Sequence, residues 1–194
     1  YLYTDIFNAV RIKQSDYLNG SNIIDTYTYL DGFGRKIQER KESEAANIFN
    51  VRDFIYTQHN LLLKESLPYS SNNTARTTAT TTTSLYTTYS YDPMQRVLSA
   101  VSAVGSTINA YDDWKTTVTD ADGKTKAMYR DAYDNLVKVD EHNDSAIYTT
   151  TYEWNGIKKL TKITDALGNI RNFNYDGLGR VYSAEDLHAP ADAT

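Results

Sequence analysis

The sequence predicts an all-β fold built of antiparallel hairpins, and three observations support this. Its 194 residues include 17 Tyr, and aromatic residues make up 12% of a chain whose hydrophobic content is only 40%. Many of the aromatics and threonines stand at alternate positions, which fits a pleated and half-buried surface. Short segments containing Asp and Gly recur between them, as in hairpin turns. The stretch 35–47 contains helix-forming residues, but Ile37 and Gln38 continue a repeat strand and the rest lacks an apolar stripe, so we do not expect a helix there.

Charge and composition argue against several classes of function. The formal charge is −5 at pH 7 and the pI is about 5.2, whereas a nucleic-acid-binding surface needs clustered Lys and Arg. No apolar run approaches the roughly 18 residues that indicate a membrane span. The chain has no Cys, which excludes a disulfide framework. Because both ends fall inside the repeating pattern, we expect the chain to be a fragment of a longer protein.

The clearest repeat unit is FNYDGLGRV at 173–181, in which Tyr175, Asp176, Gly179 and Arg180 stand at the defining positions. Aromatics at alternate positions lie on one face of a strand, where a cross-strand pair contributes about 0.2–1 kcal/mol. Asp followed three residues later by Gly is typical of a type I turn, because the carboxylate caps backbone N–H groups. Each unit is therefore half of a hairpin that must stack on its neighbours.

Further copies follow the same pattern. Tyr91-Asp92 and Trp154-Asn155 open two of them, and a worn copy runs from Phe54 and Tyr56 to Leu62. In the copy formed by Asp31, Gly34 and Arg35, the aromatic pair Tyr27 and Tyr29 stands one residue earlier. This shift turns the pair to the other sheet face unless a bulge absorbs it.

Two shorter copies carry the turn signature without the aromatic pair, one from Asp120 to Gly123 and one from Asp165 to Gly168. We therefore predict hairpin turns at 31–34, 92–95, 120–123, 165–168 and 176–179. We also expect four motif aromatics to be buried against each other on one face of the sheet: Tyr56, Tyr91, Trp154 and Tyr175.

We expect residues 1–194 to form a single repeat region. A Ser- and Thr-rich stretch at about 70–84 interrupts the pattern, and repeats of the same type flank it on both sides. Its composition favours a mobile loop over a domain linker, although the Thr run also fits the entry to a strand.

This series of motifs resembles the Rhs and YD-repeat family, which includes bacterial toxin-complex shells and teneurins. The segments DGFGRKIQ at 31–38, TDADGK at 119–124, LTKITDALGN at 160–169 and YDGLGR at 175–180 follow in an order similar to the toxin-complex branch. The resemblance covers about residues 3–182. In the copy at Asp131, Arg130 and Asp134 replace the Tyr and Gly of the motif.

The resemblance implies an antiparallel β-strand spiral that, in full-length members, closes into a hollow shell around a toxic C-terminal polypeptide. It implies a secreted or cell-surface protein, whose partners are the rest of the parent protein and an encapsulated effector. The six to eight motif turns of this chain are fewer than a closed shell requires in that family.

No residue pattern indicates a catalytic, metal or cofactor site. His59, His142 and His188 are far apart and lack partners at metal-ligand spacing. Most carboxylates occupy turn positions, and there is no G-x-S-x-G segment or phosphate-binding loop. We therefore expect no enzymatic activity and no cofactor, with a glycosidase-like acid pair as a remote alternative.

The main alternative function is a carbohydrate-binding or adhesion module. Tyr111, Trp114, Tyr129 and Tyr133 stand outside the regular inward positions of the repeat, and exposed aromatic side chains can stack on sugar rings. The competing interpretation is that they pack against neighbouring hairpins. Full exposure of coplanar rings would favour glycan contact, and burial would favour packing.

Overall fold

The computed structural model describes residues 2–6, 9–19, 22–45, 47–77 and 85–185 as strands, turns and loops. The predicted all-β, antiparallel fold is therefore confirmed. The chain divides into two compact units, Tyr1–Val104 and Gly105–Thr194, so the single repeat region stays a prediction. Within the described ranges, no helix is long and apolar enough to cross a membrane.

The described part of the first unit contains nine strands: β1 (Leu2–Ile6), β2 (Ala9–Asn19), β3 (Asn22–Leu30), β4 (Lys36–Glu42), β5 (Phe49–Tyr56), β6 (Leu62–Ser66), β7 (Tyr69–Ser71), β8 (Tyr86–Tyr91) and β9 (Val97–Ser102). Consecutive strands from β1 to β6 pair antiparallel, and β8 lies between β6 and β9. Strand β7 pairs with the first half of β5, while β6 pairs with its second half. Strand β4 confirms that Ile37 and Gln38 continue a strand.

The core of the first unit lies on one face of its sheet, where Tyr27, Tyr29, Phe49 and Val51 are buried together. The rings of Tyr27 and Phe49 meet edge to face, with centroids 5.7 Å apart, an arrangement that aromatic quadrupoles favour.

The motif aromatics of the first unit project from the opposite face. Tyr29 pairs with Gln38, which in turn pairs with Asp53 on β5. Tyr56 stands three residues after Asp53 and therefore points to the other side of the sheet. The face change predicted for Tyr27 and Tyr29 is confirmed.

The predicted loop at 70–84 begins later than expected, because Ser70 and Ser71 belong to β7 and pair with Asn50 and Phe49. Residues 78–84 lie outside the described residues.

The described part of the second unit is a meander of eight strands: β10 (Gly105–Asp112), β11 (Lys115–Thr119), β12 (Thr125–Arg130), β13 (Leu136–Asn143), β14 (Ala146–Trp154), β15 (Leu160–Thr164), β16 (Ile170–Tyr175) and β17 (Val181–Ala184). Each strand pairs antiparallel with the next. Successive turns consequently alternate between the two ends of the strands. The short copies at Asp120 and Asp165 lie at one end of the strands, and the turns that begin at Asp131, Asn155 and Asp176 lie at the other end.

The two kinds of copy also differ in register. At the full motif Tyr175 pairs with Val181 while Asn174 pairs with Ser183, so a β-bulge at Val181 and Tyr182 follows the turn. The short copy at Asp120 keeps a continuous register up to Thr119 and Thr125. A bulge places two residues of one strand opposite one of the other and locally disrupts the hydrogen-bond ladder.

Candidate functional site

The most regular feature of the described chain is a turn that occurs eight times, starting at Asp31, Thr57, Asp92, Asp120, Asp131, Asn155, Asp165 and Asp176. In each turn the first residue accepts a hydrogen bond from the N–H of the fourth, and its own N–H donates to the carbonyl of the fifth. All five turns predicted from the sequence are present. The worn copy turns at Thr57, whose Oγ1 accepts from the N–H groups of His59 and Leu61 and so replaces a carboxylate.

The turn at Asp176 shows how the repeat uses its carboxylate. Oδ1 accepts from the N–H groups of Leu178 and Arg180, both at 2.9 Å. Oδ2 accepts from Nε of Arg180 at 2.8 Å. The turns at Asp31 and Asp92 hold the side chain of the fifth residue in the same way. Asp and Arg four positions apart in the motif are thus explained by one local hydrogen-bond network.

The fourth position of every such turn has a left-handed backbone. Gly34, Gly123, Gly168 and Gly179 have φ between 75° and 83°, and Asn60, Gln95, Asp134 and Lys158 have φ between 59° and 67°. This conformation costs a residue with a side chain about 1–2 kcal/mol, but it costs Gly no steric energy. The left-handed conformation is therefore common to all eight turns; Gly adopts it without steric cost in four of them, and the other four retain the strain.

Four of the turn carboxylates, those of Asp31, Asp92, Asp131 and Asp176, have a lowered pKa and are held in the ionised state. Burial raises the pKa of Asp31, but hydrogen bonds from Arg35 and Phe33 outweigh it and lower the pKa below the usual value. Hydrogen bonds from the backbone and side chain of Arg180 lower the pKa of Asp176. A general acid at neutral pH needs the opposite shift, so these groups are suited to capping a turn and not to donating a proton.

The motif aromatics connect each hairpin to the one before it in the chain. Tyr175 Oη donates to the carbonyl of Leu160 at 2.7 Å, and Trp154 Nε1 donates to the carbonyl of Leu136 at 2.8 Å. In the first unit, Tyr56 and Tyr91 donate in the same way to Lys36 and Leu62.

The acceptors of these four bonds share one position. Each carbonyl belongs to the first residue of the strand that follows the preceding turn, next to the β-bulge of that hairpin. The aromatic side chain supplies a donor where the ladder of the previous hairpin is interrupted.

The four motif aromatics are half-buried rather than buried, which corrects the expected packing. Within the first unit Tyr56 and Tyr91 share a face, and within the second Trp154 and Tyr175 do. Their polar ends are directed at backbone carbonyls, and an amphipathic ring with a satisfied polar tip tolerates partial exposure. The sequence pattern predicted the alternation but not these bonds.

The four aromatics considered for glycan contact do not form one surface. Tyr111 and Tyr129 are half-buried, and they pair with the adjacent residues Thr116 and Lys115, so they lie on opposite faces. Trp114 and Tyr133 are 58% and 70% exposed, each in a turn. Glycan contact by this set stays a prediction.

A half-buried polar cluster surrounds Tyr129 in the second unit. Lys138 Nζ lies 4.0 Å from its ring centroid and 2.8 Å from Asp140 Oδ2. Thr149 donates to the same carboxylate at 2.8 Å. Burial raises the pKa of Asp140, but the bonds from Lys138 and Thr149 lower it overall, and the bond to Asp140 raises the pKa of Lys138.

Lys13, Ser15, Asp25 and Tyr27 form a comparable cluster in the first unit. Lys13 and Ser15 contact the Asp25 carboxylate at 2.7 and 2.6 Å. Burial is the main reason why the pKa of Tyr27 is raised. Both clusters stabilise charges in pairs, and neither holds a base or nucleophile with a pKa moved towards neutrality.

A buried network attaches residues 73–77 to the sheet of the first unit. The Arg40 guanidinium has no solvent exposure and donates to Gln38 at 2.8 Å, Ser71 at 3.0 Å and Thr77 at 2.7 Å, and also to the Asn73 carbonyl. Gln38 and Tyr69 donate to Asp53 at 2.5 and 2.7 Å. Sequence reasoning missed this network, because its members are far apart in the chain.

Across the described ranges, no three or more His, Asp or Glu side chains are grouped so that they could hold a metal ion. His59 is exposed in a turn and His142 is half-buried on β13. His188 lies outside the described residues.

The chain matches no protein-family model and no curated protein. Solved structures do match its fold. TcdB2–TccC3 without its hypervariable C-terminal region matches with a TM-score of 0.72 and 14% identity. TcdB2–TccC3–Cdc42 matches with a TM-score of 0.72 and 16% identity, and a mutant of the Photorhabdus luminescens Tc holotoxin pore with 0.70 and 14%.

In each of these three comparisons the likeness covers 92% of this chain but only 11% of the other chain. The chain therefore has the fold of a short segment of the TcdB2–TccC3 toxin proteins, which confirms, at the level of fold, the resemblance to Rhs and YD-repeat toxin-complex shells that its motifs predict.

Proposed function

We propose that this chain is a structural wall segment of a secreted, toxin-complex-like YD-repeat protein and that it contributes no chemistry of its own. The wall encloses or presents a toxic effector, and the partners of the segment are the rest of the parent protein and that effector. The likeness of fold to TcdB2–TccC3 supports the wall role and secretion.

One observation carries the proposal: the polar groups of the residues that define the motif are already hydrogen-bonded within the hairpins or between them. The carboxylate of Asp176 is saturated by Leu178 and Arg180, and the hydroxyl of Tyr175 joins its hairpin to the previous one through Leu160. Polar groups that are already satisfied in this way need no catalytic explanation.

Limited proteolysis of the full polypeptide that contains this chain tests the wall role. The wild type should protect the effector from protease. A Trp154→Phe, Tyr175→Phe double variant, which lacks both inter-hairpin donors of the second unit, should expose the effector sooner without changing the effector's own activity after denaturation and refolding. Tyr182→Phe is the control, because that ring is 70% exposed.

Two results would overturn the proposal. One is equal protease sensitivity of the effector in the wild type and in the denatured polypeptide, which would mean that nothing is enclosed. The other is a folded variant of one carboxylate that abolishes a hydrolase or transferase activity of this chain.

A further inference from the structure

A concave pocket lies between two neighbouring turns of the first unit, 57–61 and 92–96. Its volume is about 470 Å³, within the range of roughly 300–1,000 Å³ that is usual for small-ligand sites. Strands β6 and β8 pair beneath it. None of the aromatics that the sequence marked for glycan contact lines this pocket.

The floor of the pocket offers ring faces and aliphatic surface. Tyr89 and Tyr91 stand at alternate positions of β8 and project from the same face, beside Leu61 and Leu63. The Tyr91 hydroxyl donates to the Leu62 carbonyl at 2.7 Å, and burial is the main reason why the pKa of Tyr89 is raised. The Tyr91 hydroxyl is therefore engaged, and the faces of both rings offer a surface for contact with a ligand.

The rim of the pocket carries two exposed polar side chains, His59 and Gln95. Among the described residues, neither side chain has a hydrogen-bonding partner. The one carboxylate at the rim, Asp92, is engaged by Arg96 at 2.8 Å to N and 2.7 Å to Nε. The free hydrogen-bonding groups of the pocket are thus a carboxamide and an imidazole, each able to donate and to accept.

Gln95 has a strained, left-handed backbone conformation. Its φ is 65°, at the turn position where four other copies have Gly. A long side chain held in this conformation without a contact that uses it is the kind of local strain that clusters at binding sites.

We propose that this pocket binds a neutral sugar ring, as one unit of a glycan. The C–H face of the ring would lie on the Tyr89, Tyr91 and leucine floor, and its hydroxyls would exchange hydrogen bonds with His59 and Gln95. A neutral ligand is indicated because the charged group at the rim is already paired. The site goes beyond the wall role, since a wall segment needs no free polar side chains around an aromatic floor.

Ligand-observed saturation-transfer NMR on the intact chain, with a panel of neutral methyl hexosides and methyl N-acetylhexosaminides, tests this proposal. At least one glycoside should bind saturably at millimolar concentration, with transfer strongest to its ring C–H protons. Gln95→Gly should weaken that glycoside about two- to tenfold, the loss expected for one hydrogen bond, while raising the melting temperature. His59→Ala should weaken it by a similar factor.

Asp134→Gly is the matched control, because it makes the same change at the same turn position far along the chain, at φ 66°. It should raise the melting temperature and leave glycoside affinity unchanged. Absence of saturable binding by every glycoside at 50 mM (about the weakest useful affinity) would overturn the proposal. So would binding of N-acetylphenylalaninamide at the pocket in place of glycosides, which would make it a peptide site. Neither result bears on protection of the effector by the wall.

Discussion

The hydroxyl of Tyr175 provides the most direct test of how the hairpins are held together. Tyr175→Phe keeps the ring and removes only the donor that lies 2.7 Å from the Leu160 carbonyl. Both residues are half-buried, so water can reach the carbonyl only in part. A net hydrogen bond of this kind contributes about 0.5–1.5 kcal/mol, and we expect the free energy of unfolding to fall by about 1 kcal/mol.

Urea unfolding followed by far-ultraviolet circular dichroism measures this change, and thermal unfolding should show a fall of about 2–4 °C for a chain of this size. Tyr56→Phe and Tyr91→Phe should give losses of the same size, because their donor–acceptor distances are 2.9 and 2.7 Å. Tyr182→Phe, at a ring that is 70% exposed, should change stability by less than about 0.3 kcal/mol. If Tyr175→Phe and Tyr182→Phe are indistinguishable, the inter-hairpin bond does not stabilise the fold and our explanation of the motif tyrosine is wrong.

Four further predictions concern the turns. Asp176→Ala should lower the free energy of unfolding by about 1 kcal/mol, measured by urea titration, and a loss no larger than that of an exposed alanine substitution would refute the capping role. Asp134→Gly should stabilise the fold by about 0.5 kcal/mol, since the relieved left-handed strain exceeds the entropy of Gly; a lower melting temperature would contradict this. Asn155→Asp should add a few tenths, about 0.5 kcal/mol at most, because Lys159 stands where the motif has its basic residue, and high salt should remove the gain. Folding lowers the pKa of Asp31. The ionised carboxylate therefore stabilises the fold above the unfolded pKa of about 3.9, and this contribution is lost as the pH falls through the folded pKa. The urea midpoint of unfolding should decline below about pH 4, and it should decline less steeply in Asp31→Asn.

Local chemistry made the turns predictable from the sequence. Asp176 and Gly179 are three residues apart, and the carboxylate cap and the left-handed position lie within that span. The worn copy around Thr57 was recognised, but its turn was not predicted, because a hydroxyl replaces the carboxylate and Asn60 replaces the Gly. A search for any short capping side chain three residues before a Gly, Asn or Asp would have found it.

The long-range polar contacts could not be predicted in the same way. Arg40 is buried through bonds to Ser71 and Thr77, which are more than 30 residues away, and no periodic pattern specifies such a partner. The pocket at Tyr89 and Tyr91 likewise depends on which two turns become neighbours across β6 and β8. Composition and spacing determine the hairpin, while the pairing of hairpins decides what lies between them.

The bond from each motif aromatic to the carbonyl of the preceding hairpin gives the array a direction. Trp154 bonds to Leu136 in the hairpin that turns at Asp131, 18 residues earlier in the chain. Tyr175 bonds to Leu160 in the hairpin that turns at Asn155, 15 residues earlier. A chain emerging from the ribosome can therefore secure each hairpin as soon as the next is made, without waiting for distant sequence. Duplicating or deleting a whole unit leaves every remaining inter-hairpin bond intact, so an array of this design can change its length by recombination while the bonds between its hairpins stay the same.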